Sequence, residues 1–112
     1  MLEKVKPIII RDAENNEEYT LEFNRESVRF AEQRGFKLED LDNFPMIKTP
    51  EFFWYAFRMH HKRVSLADAE EILRKIGGMS EPVAKRLLEL WTETYNTLGT
   101  EEEKNPNMTV EL

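Results

Sequence analysis

The feature that most constrains this chain is a run of six large or apolar residues, Phe52-Phe53-Trp54-Tyr55-Ala56-Phe57. Side chains of that size are driven out of water together, so the run has to lie at the centre of whatever the chain folds into or against. Thr49-Pro50-Glu51 precedes it and reads as a helix start, because Thr caps, Pro suits the first helical position and Glu suits the first turn. The spacing predicts a helix over 50–62. Phe53, Ala56, Phe57 and His60 form one row on it, and Phe52, Tyr55 and Met59 form the neighbouring row. A helix apolar around most of its circumference is either buried on several sides or offered to a partner. Six residues fall far short of the roughly 20 that a membrane span requires.

On the N-terminal side, Pro7 to Arg11 carries three consecutive isoleucines, and Glu18 to Phe23 alternates polar and apolar residues, so both read as strands. They predict a β-hairpin over 7–23, with Asp12 to Glu17 as a mobile polar loop and Tyr19, Leu21 and Phe23 on the buried face. A two-stranded ribbon is marginal alone and needs helices laid across it. Asn24 is placed to cap a helix over 25–34, with Val28 and Ala31 inward, Arg25, Arg29 and Glu32 outward, and Gly35 as its stop. Phe36, Leu38 and Leu41, in the stretch ending at Phe44-Pro45, read as one turn of helix or an irregular anchor. Ser65 and Gly77-Gly78 bracket a helix over 66–76 with Leu66, Ala69, Leu73 and Ile76 as its buried stripe. Ser80-Glu81-Pro82 opens the last helix, 82–98, with Val83, Leu87, Leu90, Trp91, Thr94 and Leu98 inward. Short linkers predict that these helices pack as antiparallel or crossed neighbours.

The resulting fold class is α+β, mainly α: an N-terminal β-hairpin followed by a small bundle of about four helices. The 112 residues, 40% hydrophobic and 34% charged, suffice for one core, assigned to residues 1–99. Residues 100–112 form a flexible acidic tail in this reading. Its last five residues alternate like a strand that could add to the hairpin's edge or to another molecule.

No familiar catalytic or cofactor chemistry emerges. The absence of cysteine removes thiol nucleophiles, disulfides and thiolate zinc sites, leaving His60 and His61 as the nitrogen ligands. Adjacent helical residues diverge by about 100°, so these two do not grip one metal; one imidazole is expected against the core and the other beside Arg58, Lys62 and Arg63 at a solvated helix end. No phosphate-binding glycine loop or nucleophile elbow is present, and Asp68, Glu70 and Glu71 read as solvated surface. A formal net charge of −6 disfavours sequence-independent binding to nucleic acid. The N-terminus lacks a signal-peptide pattern, so the expected location is cytoplasmic.

Three stretches carry a family resemblance: Tyr19-Thr20-Leu21-Glu22-Phe23-Asn24-Arg25-Glu26-Ser27-Val28, the block from Phe44-Pro45 to Lys62 with Tyr55-Ala56-Phe57-Arg58-Met59-His60-His61-Lys62 at its core, and the ending Thr109-Val110-Glu111-Leu112. Together they resemble the small tail assembly chaperones of long-tailed phages and prophages of Gram-positive bacteria. The resemblance covers nearly the whole chain through a joint pattern rather than a catalytic signature. It implies a non-enzymatic protein, without cofactor, that acts in the cytoplasm of the bacterial host. There it coats the aggregation-prone tape measure protein until tail tube subunits displace it, and it is absent from the mature virion. In such families a longer form made by frameshifting recruits tail tube protein, and self-association would let many copies line one filament. Masking a long apolar helix needs exposed apolar surface, and the candidates are Trp54, Tyr55, Phe57, Met59, Trp91 and Tyr95. Each could equally be core. The alternatives are a structural tail-tube or connector subunit, or a small DNA-binding regulator using the last two helices.

Overall fold

The computed structural model describes residues 4–97, 107–108 and 111–112. The expected hairpin forms from β1 (Ile8–Asp12) and β2 (Glu17–Leu21), paired antiparallel from Ile8 opposite Leu21 to Asp12 opposite Glu17. The polar sextet expected as a mobile loop is instead a tight turn whose end residues belong to the ladder. The Asp12 carboxylate accepts the backbone N–H groups of Glu14 at 3.1 Å and Asn15 at 3.2 Å, and Asn16 adopts the left-handed φ of 53°. The Asn15 side-chain amide also donates to Asp12, and this bond, with the backbone ones, holds the carboxyl below its usual range.

The first helix, α1 (Arg25–Gln33), begins with a reciprocal cap. The Asn24 side chain accepts the Ser27 N–H at 2.8 Å while Ser27 Oγ accepts the Asn24 N–H at 2.9 Å. Gly35, at φ 88°, ends it, with its N–H donating to the Glu32 carbonyl and the Phe36 N–H to the Ala31 carbonyl. This Schellman stop turns Phe36 into the core. Arg25 does not simply face water as expected; its guanidinium donates to the Thr97 hydroxyl at 3.3 Å and to the Thr97 carbonyl, tying α1 to the end of the last helix. The stretch read as a single turn or an irregular anchor is one turn, α2 (Asp40–Asn43).

The central helix differs from expectation at both ends: α3 runs Pro45–Tyr55, not 50–62. Two prolines compete for the start, and Pro45 takes it, with the Phe44 carbonyl accepting the N–H groups of Ile47 and Lys48. Pro50 then sits inside the helix without an N–H for the Met46 carbonyl, which is tolerable because Met46 lies at an exposed turn open to water. At the far end, the chain tightens into i to i+3 bonds from Ala56, Phe57 and Arg58 back to Phe53, Trp54 and Tyr55. The Ala56 carbonyl, which a continuing helix would use for His60, accepts the Glu22 N–H at 3.1 Å instead. Tertiary hydrogen bonding at the edge of the hairpin therefore ends a helix that its apolar pattern would continue.

Helix α4 (Leu66–Lys75) has the expected Ser65–Asp68 capping box and a Schellman stop at Gly77-Gly78, both glycines having positive φ. Ala69 is its one fully buried residue; Ile76, expected in the buried stripe, caps the helix and is exposed. Helix α5 (Glu81–Asn96) buries Leu87, Leu90, Trp91 and Thr94. Leu98, the last position of its expected stripe, lies outside the described residues. Helix α4 packs on α3, whereas α5 packs on α1 and β1, so the last two helices find separate principal partners despite their short linker. The acidic segment after Gly99 as far as Pro106, and Thr109 and Val110 of the strand expected at 108–112, also fall outside the described residues; Met108, Glu111 and Leu112 are exposed and in no strand.

These elements enclose one aromatic core. Phe52 stacks between Phe23 and Phe36, with ring centroids 5.5 Å from each, and Trp91 closes the box edge-on at 5.2 Å from Phe23 and 5.5 Å from Phe36. No helix among the described residues is long and apolar enough to cross a membrane.

Candidate functional site

The six side chains proposed from the sequence as an apolar partner surface are dispersed by the fold. Tyr55, Phe57 and Trp91 are buried. Tyr55 packs edge-on against Phe30 and Phe36, and burial pushes its phenol pKa up. Phe57 lies between Tyr19, Phe53 and His61, and Trp91 belongs to the aromatic box. As folded, these three present no side chain to a partner. Trp54 is half-buried: its indole N–H donates to the Val64 carbonyl at 2.8 Å, and the Arg34 guanidinium lies 5.1 Å from its ring. It pins the turn after α3 to the fold.

Met59 and Tyr95 line surface grooves, each a different one. Met59 is half-buried and helps line a groove of about 1020 Å³ along α5, with Val5, Ala84 and Leu88. Tyr95 is exposed beside a smaller groove of about 370 Å³ that also touches Phe36 and Trp91. Its hydroxyl donates to the Glu32 carboxylate, and that bond, with partial burial, pushes its pKa up to about 12.

One imidazole, His61, rests against the core beside Tyr19 and Phe57 as expected, but His60 does not join a basic helix end. His60 Nε2 lies 2.6 Å from Glu22 Oε1, and His61 Nε2 accepts the Thr20 backbone N–H at 2.9 Å, so both serve the edge of β2. Burial lowers the His61 pKa, with the neighbouring His60 adding to the effect. Arg58 and Lys62, expected to share a solvated basic helix end, separate: the Arg58 guanidinium sits 3.8 Å from the Phe30 ring centroid, and Lys62 pairs with Glu26 at 3.2 Å. Among the described residues no group of three or more His, Cys, Asp or Glu is placed to hold a metal.

The surface that does gather apolar side chains lies at the start of α3, outside the six positions that the sequence marks. Phe44 is 56% exposed, Met46 89% and Ile47 63%. They sit in the cap and first turn of a helix whose other end supplies Phe52, Phe53 and Tyr55 to the core. At 1.5 Å rise per residue, Met46 stands roughly 9 Å along the axis from Phe52, beyond the reach of the core. Beside this patch, Glu39 and Asp42 are exposed and Asp40 half-buried, and among the described residues none of the three forms an ion pair. Lys48, on the next turn, is engaged with Glu51 at 3.3 Å. Pro45 was the available signal: starting the helix there places Phe44, Met46 and Ile47 before any of the residues that need burial.

The geometry defines a small α+β domain with one aromatic core and a projecting apolar patch edged by carboxylates. Over residues 2–112 the chain matches the family described as Domain of unknown function (DUF5055), and it belongs to that family. No curated protein and no solved structure matches it.

Proposed function

We propose that the chain is a protein-binding domain without catalytic activity, a tail assembly chaperone that holds the tape measure protein of a long-tailed phage in soluble form until tail tube subunits displace it. The observation that carries this reading is the exposed set Phe44, Met46 and Ile47: three large apolar side chains in the cap and first turn of α3 that the described fold leaves mostly in water. Large exposed apolar side chains grouped in this way are characteristic of surfaces that associate with other proteins. The reading is also supported by the family resemblance in the Tyr19–Val28 and Phe44–Lys62 stretches. It places the protein in the host cytoplasm during assembly and outside the finished particle, with recruitment of tail tube protein left to a longer frameshifted form.

Co-expression with a segment of the phage's own tape measure protein tests it. The expected result is a soluble complex that co-elutes on size exclusion, with several chaperone copies per tape segment by light scattering. A tape segment equally insoluble with and without the chain would defeat the reading. Stoichiometric recovery of the chain from purified virions would replace it with a structural subunit of the tail.

A further inference from the structure

We infer that the patch formed by Phe44, Met46 and Ile47 takes an amphipathic helix whose apolar stripe is bordered by Lys or Arg. The inference rests on the reading of the chain as a binder of helical protein segments and adds the chemistry of the segment it selects. Two observations carry it. The first is position and composition: Phe44, Met46 and Ile47 lie in the cap and first turn of α3 and are exposed, so they offer open apolar surface rather than an enclosed pocket, and such a surface suits the apolar stripe of an amphipathic helix. The second is charge. Glu39, Asp40 and Asp42 lie on the turn immediately before the patch, where the Asp40 carbonyl accepts the Phe44 N–H; they outnumber the exposed Lys37, and Lys48 on α3 is already paired with Glu51. A partner flanked by carboxylates would be repelled here, whereas Lys and Arg flanks are attracted and can still lay their aliphatic stems on the apolar residues.

The charged border selects the partner more than it strengthens binding, and it makes binding salt-dependent. Three synthetic helical peptides with one identical leucine stripe, flanked by Lys and Arg, by Glu, or by Gln, are the probes. Binding to the intact chain is followed by fluorescence anisotropy at low and at physiological salt. The expected order is basic, then neutral, then acidic, with at least a tenfold span at low salt that narrows as salt is added. The double variant Glu39→Lys with Asp42→Lys, both positions being exposed, should invert the order. Met46→Ser with Ile47→Ser should weaken all three peptides while leaving the thermal midpoint near that of the parent.

Equal binding of acidic and basic peptides, or an order that survives charge reversal, overturns the proposed selectivity while leaving the apolar surface and its chaperone reading standing. Unchanged peptide binding by the serine variant removes the patch itself. A dimer of the free chain that the serine variant dissolves would make a second copy the occupant and also overturn the inference. Conversely, selective peptide binding together with failure to solubilise tape measure protein would retain the site and reject the proposed function.

Discussion

His61 shows how much can depend on one nitrogen. Its Nε2 accepts the Thr20 N–H, a bond that requires the neutral ring, and burial holds its pKa below the ordinary value of 6.5. Above that value the ring is neutral in both folded and unfolded chains. As the pH falls through 6.5 the unfolded chain takes up a proton that the folded chain resists, so stability declines until the lowered folded pKa has been passed. Thermal melts should therefore show a midpoint that drops between a pH of about 7.5 and about 5.5. The drop should be smaller in His61→Gln, whose amide oxygen can accept the same N–H without titrating; an equal drop would assign the effect to other groups. A second contrast separates core from surface among the large side chains. Tyr55→Ser should cost about 3–5 kcal/mol in urea denaturation, the range for truncating a large core residue, while Met46→Ser should stay within about 0.5 kcal/mol.

Among the elements, α3 carries the most instructive prediction. Pro45 suits the first position of a helix, but Pro50 sits in its second turn and has no N–H to give the Met46 carbonyl. Pro50→Ala should restore that bond. The interior penalty of about 3 kcal/mol, reduced by the up to about 1 kcal/mol that proline saves in unfolded-chain entropy, predicts a net gain of roughly 2 kcal/mol. A loss of stability would mean that the ring's own packing outweighs the missing bond. Gly77→Ala, at φ 90°, should instead cost about 1–2 kcal/mol because a Cβ is disfavoured in the left-handed conformation. These two positions also show what could be read in advance. Caps and stops built from local bonds, such as Asn24 with Ser27, Ser65 with Asp68, and the turns at Gly35 and Gly77-Gly78, are legible because sequence neighbours make them. The C-terminal end of α3 is not, because the Glu22 N–H on the Ala56 carbonyl and the Thr20 N–H on His61 decide where it stops, and periodicity carries no record of such distant partners. The candidate surface is hidden for another reason: aromatic abundance marks Tyr55, Phe57 and Trp91, yet the fold buries them in its core, and the choice of Pro45 over Pro50 as the helix start leaves Phe44, Met46 and Ile47 outside.

At the level of the whole molecule, packing is uneven. Helix α5 buries four residues and contacts both the hairpin and α1, while α4 buries Ala69 and rests on α3. Native-state hydrogen exchange should find α4 opening at lower free energy than α5, with amides of β2 and the Phe52–Tyr55 segment of α3 among the slowest. Equal protection in α4 and α5 would indicate one cooperative unit in place of two tiers. The ends of the described fold also meet: the Val5 N–H donates to Glu93 at 2.6 Å, Arg86 donates to the Lys6 carbonyl, and Arg25 reaches Thr97. Because the segment before β1 is held by α5 and Phe23 packs against Trp91, an emerging chain leaves Phe23 without that cover until α5 has been made. A nascent copy therefore passes through an interval in which part of its own aromatic core stands open to water, closed only when Trp91 arrives.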